Sequence, residues 1–258
     1  MLEINGPLMQ NIPKISIITV VFNGAPLIDR TIKSVLEQTY TNIEYIIVDG
    51  LSNDRTLTII KQYSSRIAKI ISEKDKGIYD AMNKGLKIAT GDYVLFLNAG
   101  DELYTNTTLS KVFENYTNAD VYYGNTAITN ESGEQLADRR LAPPLQLTWK
   151  SLKYGMCVSH QSFIAKRALC DFYNLDYHIS SDIDWVISVL KRSDKISNTQ
   201  IYISKFLEGG ASKQNQTRAL IERFKIMVKH YGFFQTIFNH VYIILRYPIH
   251  KLTRKSMT

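Results

Sequence analysis

Gly91-Asp92-Tyr93-Val94-Leu95-Phe96-Leu97-Asn98-Ala99-Gly100-Asp101 runs from one turn, through an apolar stretch, into a second polar turn that ends on a carboxylate. Residues 94–97 are too few for a buried helix and are flanked by turn formers, so they predict an interior strand of an α/β sheet. Asn98-Ala99-Gly100-Asp101 then falls at the strand's carboxyl end, the edge at which open α/β sheets bind ligands. An Asp behind a flexible Gly can reach a hard cation held between phosphate oxygens. Taken alone, a solvated turn is the plainer use of the same residues.

Upstream, residues 15–22 are β-branched and nearly all apolar, the pattern of a strand covered on both faces, and Asn23-Gly24-Ala25-Pro26 breaks it. Pro26 suits a first helical turn, and Leu27, Ile28, Ile32, Val35 and Leu36 recur at helical spacing. The unit repeats. Residues 43–48 predict a second strand ending at Asp49-Gly50, Ser52-Asn53-Asp54 a helix cap, and residues 67–71 a third strand. A helix over 77–89 puts Ile78, Met82, Leu86 and Ala89 on one face. Alternating strands and helices predict a parallel sheet with its loops at one edge, so Asn23, Asp49, residues 73–77 and residues 98–101 should converge on one cleft. The free amides and dipole at the start of the 77–89 helix favour an anion there, such as a diphosphate near Asp75 to Gly77.

The composition narrows the class. At 258 residues the chain can bury a sizeable core, and it contains no repeat or low-complexity tract. Two cysteines, Cys157 and Cys170, are too few for a disulfide framework, and the first residues carry no secretory signal pattern, which predicts a cytoplasmic location. The net charge of +7 sits in the tail: from Lys213 onward there are nine Lys or Arg against the single acid Glu222. The nearly neutral remainder argues against a nucleic-acid partner, which would want its basic patch on the folded domain. After the first strand there is no Gly-x-Gly-x-x-Gly and nowhere a Gly-x-x-x-x-Gly-Lys, so dinucleotide and P-loop sites are disfavoured.

The order and spacing of several segments resemble those of family 2 glycosyltransferases of the bacterial polysaccharide-building type. They are Ile17 to Gly24, Ile46 to Thr56, Glu73 to Gly85, Phe96 to Asp101, His160-Gln161, and Ser180-Ser181-Asp182-Ile183-Asp184-Trp185. The resemblance covers residues 13–212. It implies the GT-A fold: an α/β domain with a Rossmann-like nucleotide-binding half and a mixed central sheet, here followed by a C-terminal helical tail. The domain limits expected are a leader over 1–14, the transferase domain over 15–212 and a basic tail over 213–258.

The resemblance also implies roles. Thr19, Val21 and Asn23 would line the nucleotide end of the cleft, Asp49 and Asp75 would contact base or ribose, and Gly77, Asn98, Ala99 and Gly100 would lie along the donor. Asp101 would be the metal-binding carboxylate, with Mg2+ or Mn2+ as cofactor. This chain has one acid where the family's motif has two, and Gly50 stands where a second acid often follows Asp49. His160 and Gln161 would meet the diphosphate or the acceptor, and Asp182 would be the base of an inverting transfer. By itself, Ser181 or Asp182 at a helix start is a cap. Asp184 lies about 200° further round that helix, too far to pair with Asp182.

The activity implied is transfer of a sugar from a nucleotide-sugar donor, UDP-linked by preference, to a hydroxyl of a glycan or lipid-linked glycan. A non-catalytic sugar-nucleotide binding protein and a nucleotidyltransferase are the rivals. In the second half, residues 121–141 predict a hairpin turning at 130–133, residues 145–153 a helix and residues 157–165 a strand. Gly209-Gly210-Ala211-Ser212 matches a family turn. The tail predicts two helices, 218–231 and 232–247, the second of about 24 Å and so short of a ~30 Å hydrocarbon core. It suits the inner face of an anionic membrane, packing on the catalytic domain, or a dimer partner.

Overall fold

The computed structural model describes residues 12–114, 117–139, 141–209 and 215–255, with side chains to residue 245. The expected leader over 1–14 lies mostly outside the described residues, as do Gly210, Ala211 and Ser212 of the glycine turn.

β1 (Ile15–Val21) is buried along its whole length and α1 (Ala25–Leu36) follows with Pro26 in its first turn. β2 (Ile43–Asp49), β3 (Lys69–Ser72) and β4 (Tyr93–Phe96) complete a parallel set in the order β3-β2-β1-β4. α2 (Thr56–Gln62) and α3 (Ile78–Ile88) form the crossovers. Past β4 the sheet becomes mixed. β8 (Phe163–Lys166) runs antiparallel to β4, β6 (Val121–Thr129) antiparallel to β8, and β9 (Ile196–Leu207) parallel to β6. β5 (Glu102–Leu103) closes that edge against β9, and β7 (Gln135–Asp138) forms the expected hairpin with β6.

Apolar layers cover both faces of the sheet. One contains Ile28, Ile32 and Val35 of α1 with Leu109 and Val112 of α4 (Thr108–Phe113). The other contains Met82 and Leu86 of α3 with Ile183, Val186 and Leu190 of α5 (Ser181–Arg192). Two-sided burial is why β1, β2 and β4 read as unbroken apolar runs rather than alternating ones. Burial alone would raise the carboxyl of Glu44, but Ser16 Oγ, Thr90 N and Oγ1, and Lys69 hold it at about 2, pinning the turn that feeds β4 to β1 and β2.

Several expectations are corrected. The buried stripe of α3 runs through Tyr79, Met82 and Leu86, while Ile78 is 39% exposed. Gly85 sets this rotation: a Cβ there would lie 2.4 Å from Ile18 Cγ2, so α3 sits directly on β1 and its stripe is fixed by that contact. Of Ser52-Asn53-Asp54, Asp54 serves the start of α2, its Oδ1 accepting from Thr56 N at 2.9 Å one residue before the Arg55 cap, while Ser52 and Asn53 bond to Asn23. Residues 157–165 are strand only from Phe163; before it, a 3-10 turn (His160–Ser162) is held by Ser162 Oγ donating to Asn125 O at 2.9 Å. Residues 145–153 give a 3-10 segment (Trp149–Tyr154) under a Thr148/Ser151 capping box. β9 was not legible, because Ser197, Asn198, Thr199 and Gln200 break its apolar pattern; Gly124 makes its pairing possible, since a Cβ there would lie 2.5 Å from Ile201 O.

The tail divides. α6 (Gln216–Tyr231) packs on the domain through Ile226 and Met227, and its Glu222 accepts the amides of His178, Ile179 and Ser180 at 3.0, 2.8 and 3.0 Å. Gly232, at φ 85°, turns the chain into α7 (Phe233–Lys255), which continues past Pro248 instead of stopping before it. Thr236 and Asn239 are buried, whereas Phe234, Phe238, Ile244 and Leu245 are each at least two-thirds exposed (87, 67, 69 and 67%), so α7 turns its apolar side outward. Among the described residues no helix is long and apolar enough to cross a membrane.

Candidate active site

Three loops leave the carboxyl ends of β1, β2 and β4, and short bonds tie the first two together. Asn23, in the left-handed region at φ 50°, donates its N–H to Ser52 Oγ at 2.8 Å and accepts from Asn53 N at 2.9 Å. Asp49 is fully buried; its Oδ2 accepts from Ser72 Oγ at 2.6 Å and its carboxylate caps Ser52 N. Asp75 follows β3 and packs against the neighbouring loop, so a Cβ on Gly50 would lie 2.3 Å from its Oδ2. That contact gives a physical reason for glycine where a second acid was expected. Asp75 Oδ1 also accepts from Gly77 N at 2.8 Å, and Gly77, at φ 116°, opens α3 with free space where a side chain would stand.

Thr19 and Val21 sit differently. Thr19 is wholly buried with its hydroxyl 3.1 Å from Tyr45 Oη, and Val21 lies in the apolar layer under α1. Neither side chain is open to solvent.

The 98–101 turn is braced from beneath. Thr31 Oγ1 donates to Asp101 O at 2.8 Å and accepts from Gly100 N at 2.9 Å, with Gly100 at φ 98°, and Ala99 N donates to Val20 O at 3.2 Å. Asp101 is 4% exposed: Oδ2 accepts from Gln161 Nε2 at 2.8 Å and Oδ1 from Leu207 N at 3.1 Å. Burial pushes its carboxyl up to about 6, the two bonds and the nearby His160 and Arg30 pulling the other way. Asn98 Nδ2 meets His160 Nε2 at 3.3 Å, while Asn98 Oδ1 is buried without a partner among the described residues.

Asp182 stands in the first turn of α5. Its Oδ2 lies 3.4 Å from His160 Nδ1 and its Oδ1 accepts from Tyr79 Oη at 3.2 Å. Burial alone would raise its carboxyl, but His160, Arg223 and Tyr79 outweigh burial and hold it below the usual carboxylate value. Beneath it, Tyr173 stacks between Tyr79 and Trp185, with ring centroids 5.3 and 5.2 Å away, and Phe96 closes edge-on. Such a rigid aromatic floor fixes where the carboxylate points. Asp184 faces away, engaged by Lys229 Nζ at 2.9 Å and His230 Nε2 at 2.6 Å.

One 3-10 turn therefore joins both carboxylates. Gln161 reaches Asp101, and the adjacent His160 reaches Asp182 and Asn98. Gln161 is 2% exposed and its amide holds the carboxylate of Asp101. Tyr79, Tyr173 and Leu207 carried no sequence signal for the site: Tyr79 occurs inside a matched segment without an assigned role, and Leu207 contributes only a backbone N–H. Tyr173 Oη, buried and unpartnered like Asn98 Oδ1, adds a second open polar atom beside Asp182.

The sequence is similar to known proteins along most of its length. The model for glycosyl transferase family 2 matches residues 16–171. A PGL/p-HBAD biosynthesis glycosyltransferase of Mycobacterium bovis is 32% identical over 184 residues, covering 68% of this chain and 69% of that protein. The Escherichia coli UDP-Glc:alpha-D-GlcNAc-diphosphoundecaprenol beta-1,3-glucosyltransferase WfgD is 26% identical over 241 residues, 91% of this chain and 92% of its own. In fold, the chain matches S. aureus TarS 1-349 in complex with UDP at a TM-score of 0.66 and 18% identity, over 84% of this chain and just 65% of that one. The mixed sheet flanked by helices is thus the GT-A fold, and the C-terminal helices are present as expected. With a family match over residues 16–171 and a relative 32% identical over two-thirds of both chains, this protein belongs to glycosyl transferase family 2 and is a glycosyltransferase.

Proposed function

We propose that the protein transfers a sugar, with inversion, from a UDP-sugar to a hydroxyl of a lipid-linked glycan. The observation that carries the reading is the pairing of Asp182 with Asp101 through adjacent residues of one turn, His160 and Gln161. Asp182, ionised and half-buried above an aromatic floor, accepts the proton of the acceptor hydroxyl. The hydroxyl oxygen forms its bond to the anomeric carbon from the face opposite the donor phosphate, and the bond to the phosphate oxygen breaks, UDP leaving with the electron pair. Asp49, Asp75 and the backbone around Asn23 bound the nucleotide end, and the start of α3 lends its dipole to the diphosphate.

The donor set suits a hard cation. Asp101 offers a carboxylate and Asn98 an unpartnered buried amide oxygen, and Mg2+ or Mn2+ takes few protein oxygens when substrate phosphates supply the rest. The cation would offset charge developing on the diphosphate. Support for UDP and for a lipid-linked acceptor comes from what the name of WfgD says it uses and from the UDP complex of TarS. The test is UDP release from a panel of UDP-sugars with Mn2+, with and without added glycolipid. Slow acceptor-independent hydrolysis of one donor is expected, and its absence for every UDP-sugar, together with no UDP binding, would overturn the reading.

The tail belongs to the same proposal. The outward apolar side of α7 and the surplus of Lys and Arg from residue 213 onward suit the surface of an anionic bilayer, where the acceptor's lipid would lie. Co-sedimentation with vesicles containing anionic lipid should drop at least fivefold for Phe234→Ser/Phe238→Ser, with transfer to a water-soluble acceptor unchanged. Retained vesicle binding, or a dimer that the same pair of substitutions splits, would refute this placement.

A further inference from the structure

We propose that Glu222 is a positioning residue for Asp182: from α6 it holds the backbone that leads into the base, so the tail helix completes the catalytic end of the cleft. The proposal rests on the reading of Asp182 as the base.

α6 lies beyond residues 16–171 that match the family model, in the stretch that reads from the sequence as a basic tail. It nonetheless makes close polar contacts on both sides of Asp182. On one side, Glu222 Oε1 accepts from His178 N at 3.0 Å, and Oε2 accepts from Ile179 N and Ser180 N at 2.8 and 3.0 Å. Ser180 is the N-cap of α5, yet its side chain makes no capping bond among the described residues; its hydroxyl is turned towards Ala219 O of α6, 3.4 Å away. A carboxylate from another helix thus supplies the anion and the acceptor that a helix start favours. On the other side, Asp184 accepts from Lys229 Nζ at 2.9 and 3.0 Å and lies 2.6 Å from His230 Nε2, both in the last turn of α6.

The two contacts form a reciprocal clasp, an acid of α6 on the entry to α5 and an acid of α5 on the end of α6. Asp182 sits between them, and the path to it is short. Glu222 fixes the N–H of Ser180, the carbonyl of Ser180 accepts from Ile183 N at 3.1 Å, and that same N–H meets Asp182 Oδ1 at 3.0 Å. Holding the Ser180 peptide therefore holds the turn from which the base projects.

Burial alone would raise the carboxyl of Glu222, but the amides of His178 and Ile179, Arg218 and the amide of Ser180 outweigh burial and keep it below its ordinary value. Bonds to an ionised acceptor are the stronger and shorter kind. Docking of α6 has a separate source, the apolar seat of Ile226 and Met227, so the helix keeps its place without the charge. What Glu222 adds is the placement of residues 178–182. A reacting group displaced by about 1 Å can lose 10²-fold in rate. Gln has the shape of Glu but turns an NH2 group towards one set of donors, so at least one amide loses its acceptor.

The test compares wild type, Glu222→Gln, Asp182→Asn and the double variant by UDP release from UDP-sugars with Mn2+ and by calorimetric UDP affinity. Glu222→Gln is expected to lower kcat by roughly tenfold or more with UDP affinity unchanged within about twofold. In the Asp182→Asn background the same substitution should change the residual rate by less than about twofold, because the group through which it acts is gone. A wild-type kcat in Glu222→Gln overturns the proposal. So does an equal loss in both backgrounds, or a parallel loss of UDP affinity, since either marks a general loosening. Should Glu222→Gln fail to fold, Glu222→Asp, which keeps the charge and withdraws it by one methylene, decides on the same rates, with a loss of about threefold or more expected. A wild-type rate in Asp182→Asn, or no UDP release by wild type, is the failure of the base reading itself and takes the positioning role with it. A slow Asp182→Asn beside a fast Glu222→Gln strikes Glu222 alone.

Discussion

Asp182→Asn is expected to lower kcat by about 10²–10⁴-fold, the usual contribution of a positioned general base. UDP affinity should stay within twofold, because among the described residues Asp182 bonds to His160, Tyr79 and Ile183 N and not to Asp49, Asp75 or Asp101. The fold should survive, since Asn can still accept from Tyr79 Oη and Ile183 N in the first turn of α5. His160 then has no anion beside Nδ1, so His160→Ala should lower kcat less than Asp182→Asn and leave the base in place. The pH profile supplies a second check. Asp182 is held below the usual carboxylate value, and a base works only when ionised, so activity lost to its protonation falls below about pH 4. A donor hydrolysis rate and transfer rate equal to wild type in Asp182→Asn would remove Asp182 from the chemistry.

Asp101→Asn is expected to abolish the gain in UDP affinity conferred by Mn2+, a loss of tenfold or more measured by calorimetry with and without the cation. Metal-free stability should move the opposite way. A carboxyl whose folded pKa is raised to about 6 binds its proton more tightly when folded, so its contribution is fully present below about pH 4 and is lost as pH rises through 6. At pH 7 the ionised Asp101 therefore costs the metal-free protein on the order of 3 kcal/mol, which a neutral Asn avoids. The metal-free variant should melt no lower than wild type at pH 7, and the comparison should shift towards wild type at pH 5. An Asp101→Asn protein that keeps its Mn2+-dependent UDP binding would take the cation elsewhere.

The parallel half of the sheet was plain in the sequence because each strand is covered on both faces, so local composition and burial agree for β1, β2 and β4. Asp101 and Asp182 were legible through their segments: one lies in the turn after a buried strand and the other in the first turn of a helix. Legibility stopped where a residue's use depends on a distant partner. That Gln161 braces Asp101, 60 positions away in sequence, depends on a contact that local pattern does not carry. Thr19 looked like cleft lining, yet its hydroxyl is matched inside the sheet by Tyr45. β9, polar in its first half, becomes a strand only because Gly124 lets β6 approach it closely.

By itself the sequence determined the α/β class, the family resemblance, the strand-end carboxylate, the helix-start carboxylate and the basic tail. Each rests on short-range pattern: strand and helix periodicity, turn formers and charge counts are set within a few residues. Only tertiary structure decided that one 3-10 turn links Asp101 to Asp182, that Tyr79 rather than Ile78 faces the core, and that α6 packs on the domain while α7 turns its apolar side out. Those outcomes hinge on contacts between segments far apart in the chain, where packing at Gly85 and capping by Glu222 select among rotations and dockings that local pattern leaves equal.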